Sequence, residues 1–273
     1  MGRWGLRAGL AVAIAVALFP VYWIVLTAFR PRGEIFSSPA QLLPGALTLD
    51  NVRTVWFGTS TNAAVLPFLG TSLLVAGLST LLALALAVPA AWALARRRSG
   101  GFLPMWILSQ RFMPAIAVVI PLFLVYRKLG LYDSVLGLTL VYAAVNLPLA
   151  IWLLLGYVEG LPPELEEAAA VDGASPASSF LRVVLPLLRP GIAVTAIFVF
   201  ISAWNEYVLA LQLAGDDVAT VPVYLPRLKS AIAQLYGEIG AAALLSLIPS
   251  LCFAGILQRH LVRGLALGGG RET

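Results

Sequence analysis

The chain has 273 residues, of which 60% are hydrophobic and 11% charged, and its mean hydropathy is +0.92. Soluble domains carry about 25% charged residues, so this composition excludes an ordinary water-soluble globule and makes lipid the expected solvent. The net charge of +5 and pI near 9.7 would suit a nucleic-acid partner, but the arginines are scattered between apolar runs, a membrane-topology pattern, and no nucleic acid is expected. One cysteine, Cys252, and one histidine, His260, leave no material for a disulfide or a His/Cys metal centre.

Six apolar runs follow in order: Ala8–Phe29, Phe68–Ala95, Leu103–Tyr126, Val135–Val158, Pro190–Leu211 and Ile239–Leu261. Each is long enough to cross about 30 Å of hydrocarbon as a helix. Lipid admits only helices and closed barrels, and continuous runs lack a barrel's alternation. The expected fold is therefore an all-α membrane protein with six transmembrane helices, a single domain over residues 1–273. Arg3 and Arg7 ahead of the first run also fit a signal peptide, but the run is long and shows no small-x-small cleavage site, which favours a retained helix. Gly77, Ser79 and Ala83 in the second run predict close helix packing.

Orientation follows from the basic residues. With the N-terminus inside, ten fall on the inner side and seven on the outer. The block Arg96-Arg97-Arg98, hard against a span end, votes most strongly for an N-in, C-in arrangement. Two long outer segments, Arg30–Pro67 and Ala214–Glu238, are either plain connectors or receivers for an outside partner.

Between the fourth and fifth runs lies a polar segment, residues 161–186, with an explicit local grammar. Pro163 suits a first helical turn, and Glu164, Glu166 and Glu167 place negative charge at the positive end of the helix dipole. Alanines propagate the helix, and Gly173 can take the left-handed conformation that stops it. Ser175-Pro176 then reads as a cap and first-turn proline of another helix. On the residues alone this is either a solvated, well-capped surface helix or a contact helix whose alanines permit close approach.

Inside the runs, Arg111 lies about 12 Å beyond Leu103 by helix rise. Buried charges of this kind face a wet cavity or another helix, so Arg111 is a candidate pathway residue or a helix-pairing strut. Asn205 and Glu206, late in the fifth run, and Asn146, just before Pro148, invite the same comparison, with Asn146 alternatively satisfying a carbonyl freed by that proline. Pro114, Pro121, Pro148 and Pro249 predict bends.

No phosphate loop, nucleophile elbow or His-Glu-x-x-His stretch occurs, so the chain is not expected to be an enzyme. The run Glu167-Ala168-Ala169, three residues, Gly173, nine residues, Val183-x-Leu185-Pro186 resembles the signature loop of ABC importer inner-membrane permeases, with Val183 where the pattern has Ile. Asp172-Gly173-Ala174, Arg111-Phe112-Met113-Pro114, the stretch from Leu129 to Ser134 and Trp204-Asn205-Glu206-Tyr207 resemble the carbohydrate-uptake branch, the maltose and glycerol-phosphate permeases.

The resemblance implies a multi-pass cell-membrane subunit importing a carbohydrate, polyol or related solute. It implies that Glu164, Glu167, Ala168, Ala169, Asp172 and Gly173 form a short coupling helix against a dimeric cytoplasmic ATPase. ATP and Mg would belong to that ATPase, with no cofactor on this chain. The other implied partners are a second permease, a different chain, and an extracytoplasmic solute-binding protein. A stand-alone gradient-driven transporter is the alternative, but it needs buried acids, and the runs offer little besides Glu206.

Overall fold

The structure is a computed structural model that describes residues 3–35, 42–43, 45–59, 63–96, 102–228 and 235–268, with backbone alone for 254 and 256–268. Of the arginine block, Arg97 and Arg98 lie outside the described residues, as do Lys229, Arg271 and parts of both long outer segments. Among the described residues every regular element is helical. In chain order these are α1 Arg3–Phe29, α2 Arg32–Ile35, α3 Asp50–Phe57, α4 Leu66–Arg96, α5 Phe102–Ser109, α6 Ala115–Leu129, α7 Val135–Glu159 and α8 Glu164–Val171. They continue with α9 Pro176–Ser179, α10 Leu185–Leu187, α11 Arg189–Trp204, α12 Val208–Leu213, α13 Val221–Arg227 and α14 Tyr236–Gly268.

Four helices are long and apolar enough to cross a membrane unaided: Trp4–Phe29, Leu66–Arg96, Val135–Glu159 and Tyr236–Phe253. Two more crossings result if the bent pairs Phe102–Phe112 with Ala115–Leu129 (83°) and Pro176–Leu187 with Arg189–Trp204 (71°) each count as one. The bend expected at Pro114 is thus a sharp one, and a second bend precedes the fifth run at Leu188. The third run breaks where Pro114 removes an N–H and holds Met113 in extended backbone (φ −68°, ψ 122°). Arg111 sits in the 3₁₀ turn Gln110–Phe112, just before that break. The fifth run ends as a helix at Trp204 and resumes at Val208. Pro121, Pro148 and Pro249 lie within unbroken helices.

The chain divides into two compact units, Met1–Gly70 with Val221–Pro249, and Thr71–Thr220 with Ser250–Thr273. In the first, Ala28, Val55, Val65, Tyr224, Leu228, Ala241 and Ala242 form a small buried core. Asn51, buried, donates through Nδ2 to the carbonyls of Ala28 (3.1 Å) and Arg30 (2.9 Å), which satisfies the chain where it leaves α1. Glu238, fully buried at the start of α14, pairs with Arg32. Burial, and then the Glu238 carboxylate, push the Tyr224 phenol above its ordinary pKa.

The second unit shows how a helix packs when lipid replaces water. On α4 the buried stripe is mostly small, with Ser72, Ala76, Ser79, Thr80, Ala83, Ala87 and Ala91 beside Val75, Leu84 and Val88, while Leu73, Leu74, Leu78, Leu81 and Leu86 face outward. Lipid tails are as apolar as leucine, so association favours small residues that let backbones approach. Ser79 and Ala83 fit this expectation, but Gly77 does not, because a Cβ there would meet nothing within 4 Å. The close approach is at Gly191 of α11, where a Cβ would lie 2.5 Å from the Tyr157 ring of α7.

Candidate functional site

The segment after α7 builds the predicted helix, turn and helix. Glu166 and Glu167 donate their N–H groups to Pro163 O (3.0 and 3.1 Å), opening α8. At its end Gly173 takes φ +86°, and Gly173 N–H donates to Ala170 O (3.0 Å) while Ala174 N–H donates to Ala169 O (2.9 Å). These two bonds form a Schellman stop, which requires the left-handed residue that glycine supplies without a Cβ penalty. Ser175 Oγ then accepts from Ser178 N–H (3.3 Å) and Pro176 occupies the first turn of α9. Beyond it the helix widens: Leu185 N–H reaches back five residues to Phe180 O, a π turn immediately before Pro186.

The faces of α8 are unequal. Glu164, Glu167, Ala168, Asp172 and Gly173 are exposed and Ala169 is half-buried. Val171 is 88% exposed and Leu165 42%, an outward apolar surface on a helix rich in acids. Glu166 turns the other way, its Oε2 accepting from Trp92 Nε1 (2.9 Å) and its Oε1 from Arg96 Nε (2.6 Å) at the end of α4. A groove of ≈ 570 Å³ runs beside the turn, lined among others by Ala169, Asp172, Gly173, Arg182 and Val183.

Away from this loop, the break after α5 carries a polar knot. Arg111 donates Nη1 to Val145 O (3.0 Å) and to Asn146 Oδ1 (3.0 Å), and Nη2 to Ser202 Oγ (2.7 Å). Three elements thus meet on one guanidinium: the broken third run, α7 and α11. The carbonyl that Pro148 frees is Ala144 O, four residues back, whereas Arg111 meets Val145 O one residue further on. Asn146, buried, donates instead to Tyr142 O (2.9 Å). A cavity of ≈ 240 Å³, mostly apolar, opens beside the knot, with Gln110, Arg111, Val145 and Pro148 in its wall.

Asn205 and Glu206 are not part of the knot. They occupy the break between α11 and α12, where Asn205 Nδ2 donates to Ile201 O (2.8 Å) and Glu206 Oε1 accepts from Leu209 N–H (3.0 Å), capping α12. Tyr142 Oη donates to Glu206 O (3.3 Å), tying this break to α7.

Sequence reasoning missed Glu166, Ser202 and Asp133. Asp133 holds φ +51° and its carboxylate accepts from the N–H groups of Gly215 (2.7 Å), Val218 (3.2 Å) and Asp217 (3.4 Å). It clips the segment after α12 to the α6–α7 turn. Its partners lie more than eighty residues away and leave no local trace. For Glu166 a signal existed, since Trp92 and Arg96 are four apart on one helix and share a face.

Known proteins match this arrangement. The family model described as binding-protein-dependent transport system inner membrane component matches residues 79–267. The trehalose transport system permease protein SugB of Mycobacterium tuberculosis is 36% identical over 262 residues, covering 94% of this chain and 93% of that protein. The diacetylchitobiose uptake system permease protein DasC of Streptomyces coelicolor is 36% identical over 264 residues, covering 94% of each. The fold is similar to that of a chain in the crystal structure of a bacterial ABC transporter that imports the acidic polysaccharide alginate, with a TM-score of 0.76 at 23% identity over 95% of this chain and 98% of that one. The chain therefore belongs to the family of binding-protein-dependent transport system inner membrane components, the permease subunits of ABC importers.

Proposed function

We propose that this inner-membrane subunit carries a carbohydrate, polyol or related solute through a pathway of which it forms half. Both relatives above are named for sugar uptake, over nearly their whole length. A second permease, a different chain, supplies the other half. A dimeric cytoplasmic ATPase binds the ATP and Mg, and an extracytoplasmic binding protein delivers the solute. The chain crosses six times, each bent pair serving as one crossing, with both termini and α8 on the cytoplasmic side.

On this reading α8 is the coupling helix, and Glu164, Glu167, Ala168, Ala169, Asp172 and Gly173 contact the ATPase. The observation that carries it is the division of α8 into an anchored face and an outward face that presents Glu167, Ala168 and Val171 to solvent. A short, rigidly capped helix of that kind passes a rigid-body displacement from a two-state partner. Arg111, Asn146, Asn205 and Glu206 remain the proposed pathway group. In it Arg111 faces the cavity, Asn146 orients Arg111, and Asn205 and Glu206 shape the break in α11–α12.

Co-purification from membranes tests the reading. An ATPase and a second permease are expected to come with the wild-type chain, and the ATPase yield is expected to fall at least about tenfold for Glu167→Ala, a loss of 1.4 kcal/mol or more. Gradient-driven solute uptake by this chain alone in liposomes would sink it.

A further inference from the structure

We infer that Glu166 lies outside the docking face and is the link through which the coupling loop moves α4, a positioning role that rests on the docking proposed for α8. Adjacent residues on a helix point about 100° apart, and Glu166 and Glu167 have opposite fates. Glu167 is exposed. The Glu166 side chain is 17% exposed and that of its partner Arg96 27%. Both Glu166 oxygens are engaged, by donors one turn apart on α4.

Trp92 does a second job. Its ring lies 4.8 Å from that of Phe180, centroid to centroid, at the start of the π turn. One α4 residue thereby touches both limbs of the loop, α8 through its indole N–H and the second limb through its face. Apolar packing closes the joint: Leu161, Phe180, Val184, Leu185 and Leu188 share a core with Ala87, Val88 and Ala91 of α4. Displacing α8 without α4 would strip the Glu166 carboxylate of charged and neutral donors in a partly dry site, which is costly. The loop and the Arg96 end of α4 therefore move as one body. Because α4 is a single helix of 31 residues, that movement passes along it.

The test uses the assembled transporter with Cys252→Ser and spin labels at two exposed positions, Ala170→Cys on α8 and Leu86→Cys on α4. The inter-label distance is read without nucleotide and with MgATP and vanadate. With Glu166 intact, one narrow distance is expected in both states. With Glu166→Ala, the distribution with nucleotide is expected to broaden at least about twofold, while ATPase yield stays at the wild-type level. Glu166→Gln is isosteric and keeps an acceptor for Trp92. It is expected to broaden the distribution less, and the exchange Glu166→Arg with Arg96→Glu to narrow it again.

A distance that changes with nucleotide while Glu166 is intact overturns the inference, as does a distance that stays narrow in both Glu166 variants. Loss of the ATPase from Glu166→Gln would overturn it too, by placing Glu166 on the docking face. Full ATPase yield from Glu167→Ala would instead overturn the docking reading on which it rests.

Discussion

The Arg111 knot and the α8 loop are two polar regions of one compact unit, and they differ in where their hydrogen bonds end. In the knot Nη1 and Nη2 of Arg111 both find acceptors on other elements, Val145, Asn146 and Ser202. In the loop the bonds stay local, within caps and stops, and among the described residues only Glu166 reaches another helix. Apolar surroundings explain the first pattern, because an unpaired polar group there has no water to fall back on. Solvent permits the second, and leaves acids and apolar side chains of α8 facing outward where a partner can seat. Saturation marks the region that holds the helices; the open face marks the region proposed to meet the ATPase.

Variants can break that contrast or sharpen it. Arg111→Ala should act most strongly, removing three interhelical bonds for about 2 kcal/mol at roughly 0.6 each and halting transport. Thermal unfolding of the complex in detergent reads the first effect and solute uptake the second; an unchanged melting temperature would show that the knot does not hold the break. Gly173→Val comes next, at about 1–2 kcal/mol for a branched residue in left-handed backbone, with no steric contribution because a Cβ there meets nothing. Gly173→Asn should be nearly neutral, since asparagine tolerates that conformation, and the pair compared by ATPase yield separates backbone strain from contact.

Ser202→Ala should cost about 0.6 kcal/mol, a melting shift far smaller than that of Arg111→Ala, because two of the three acceptors remain. Glu167→Ala should leave the stability of the chain within about 0.5 kcal/mol of wild type, as exposed substitutions do, yet lose the ATPase. That separation of stability from assembly is the sharpest form of the contrast. A Glu167→Ala chain that melts several degrees lower would mean its carboxylate serves the fold itself.

The helix–turn–helix segment after α7 was legible because its grammar is local. Pro163, the acidic first turn, Gly173 and Ser175-Pro176 act within four residues of themselves, and each sits in the conformation its chemistry predicts. The spans were legible as apolar runs but not as continuous helices. Pro114 was read as a bend and produces an 83° break, whereas Pro121 and Pro148 sit in unbroken helices. A proline weakens one turn, and neighbouring helices decide whether that turn opens. Asn205 and Glu206 were read as late span residues, and they form the α11–α12 break instead.

The amino-acid order by itself determined that the chain is helical and membrane-embedded, where its capped loop begins and stops, and which family it resembles. These follow from composition, from runs of apolar residues and from side chains acting on their own backbone. Tertiary structure alone decided that Arg111 ends on Val145, Asn146 and Ser202, that Glu166 rather than Glu167 faces Trp92 and Arg96, and that Asp133 gathers the N–H groups of Gly215, Asp217 and Val218. Those partners lie 34 to 91 residues away. Only folding brings them within 3 Å or so of one another, and no local pattern encodes which of several donors will arrive.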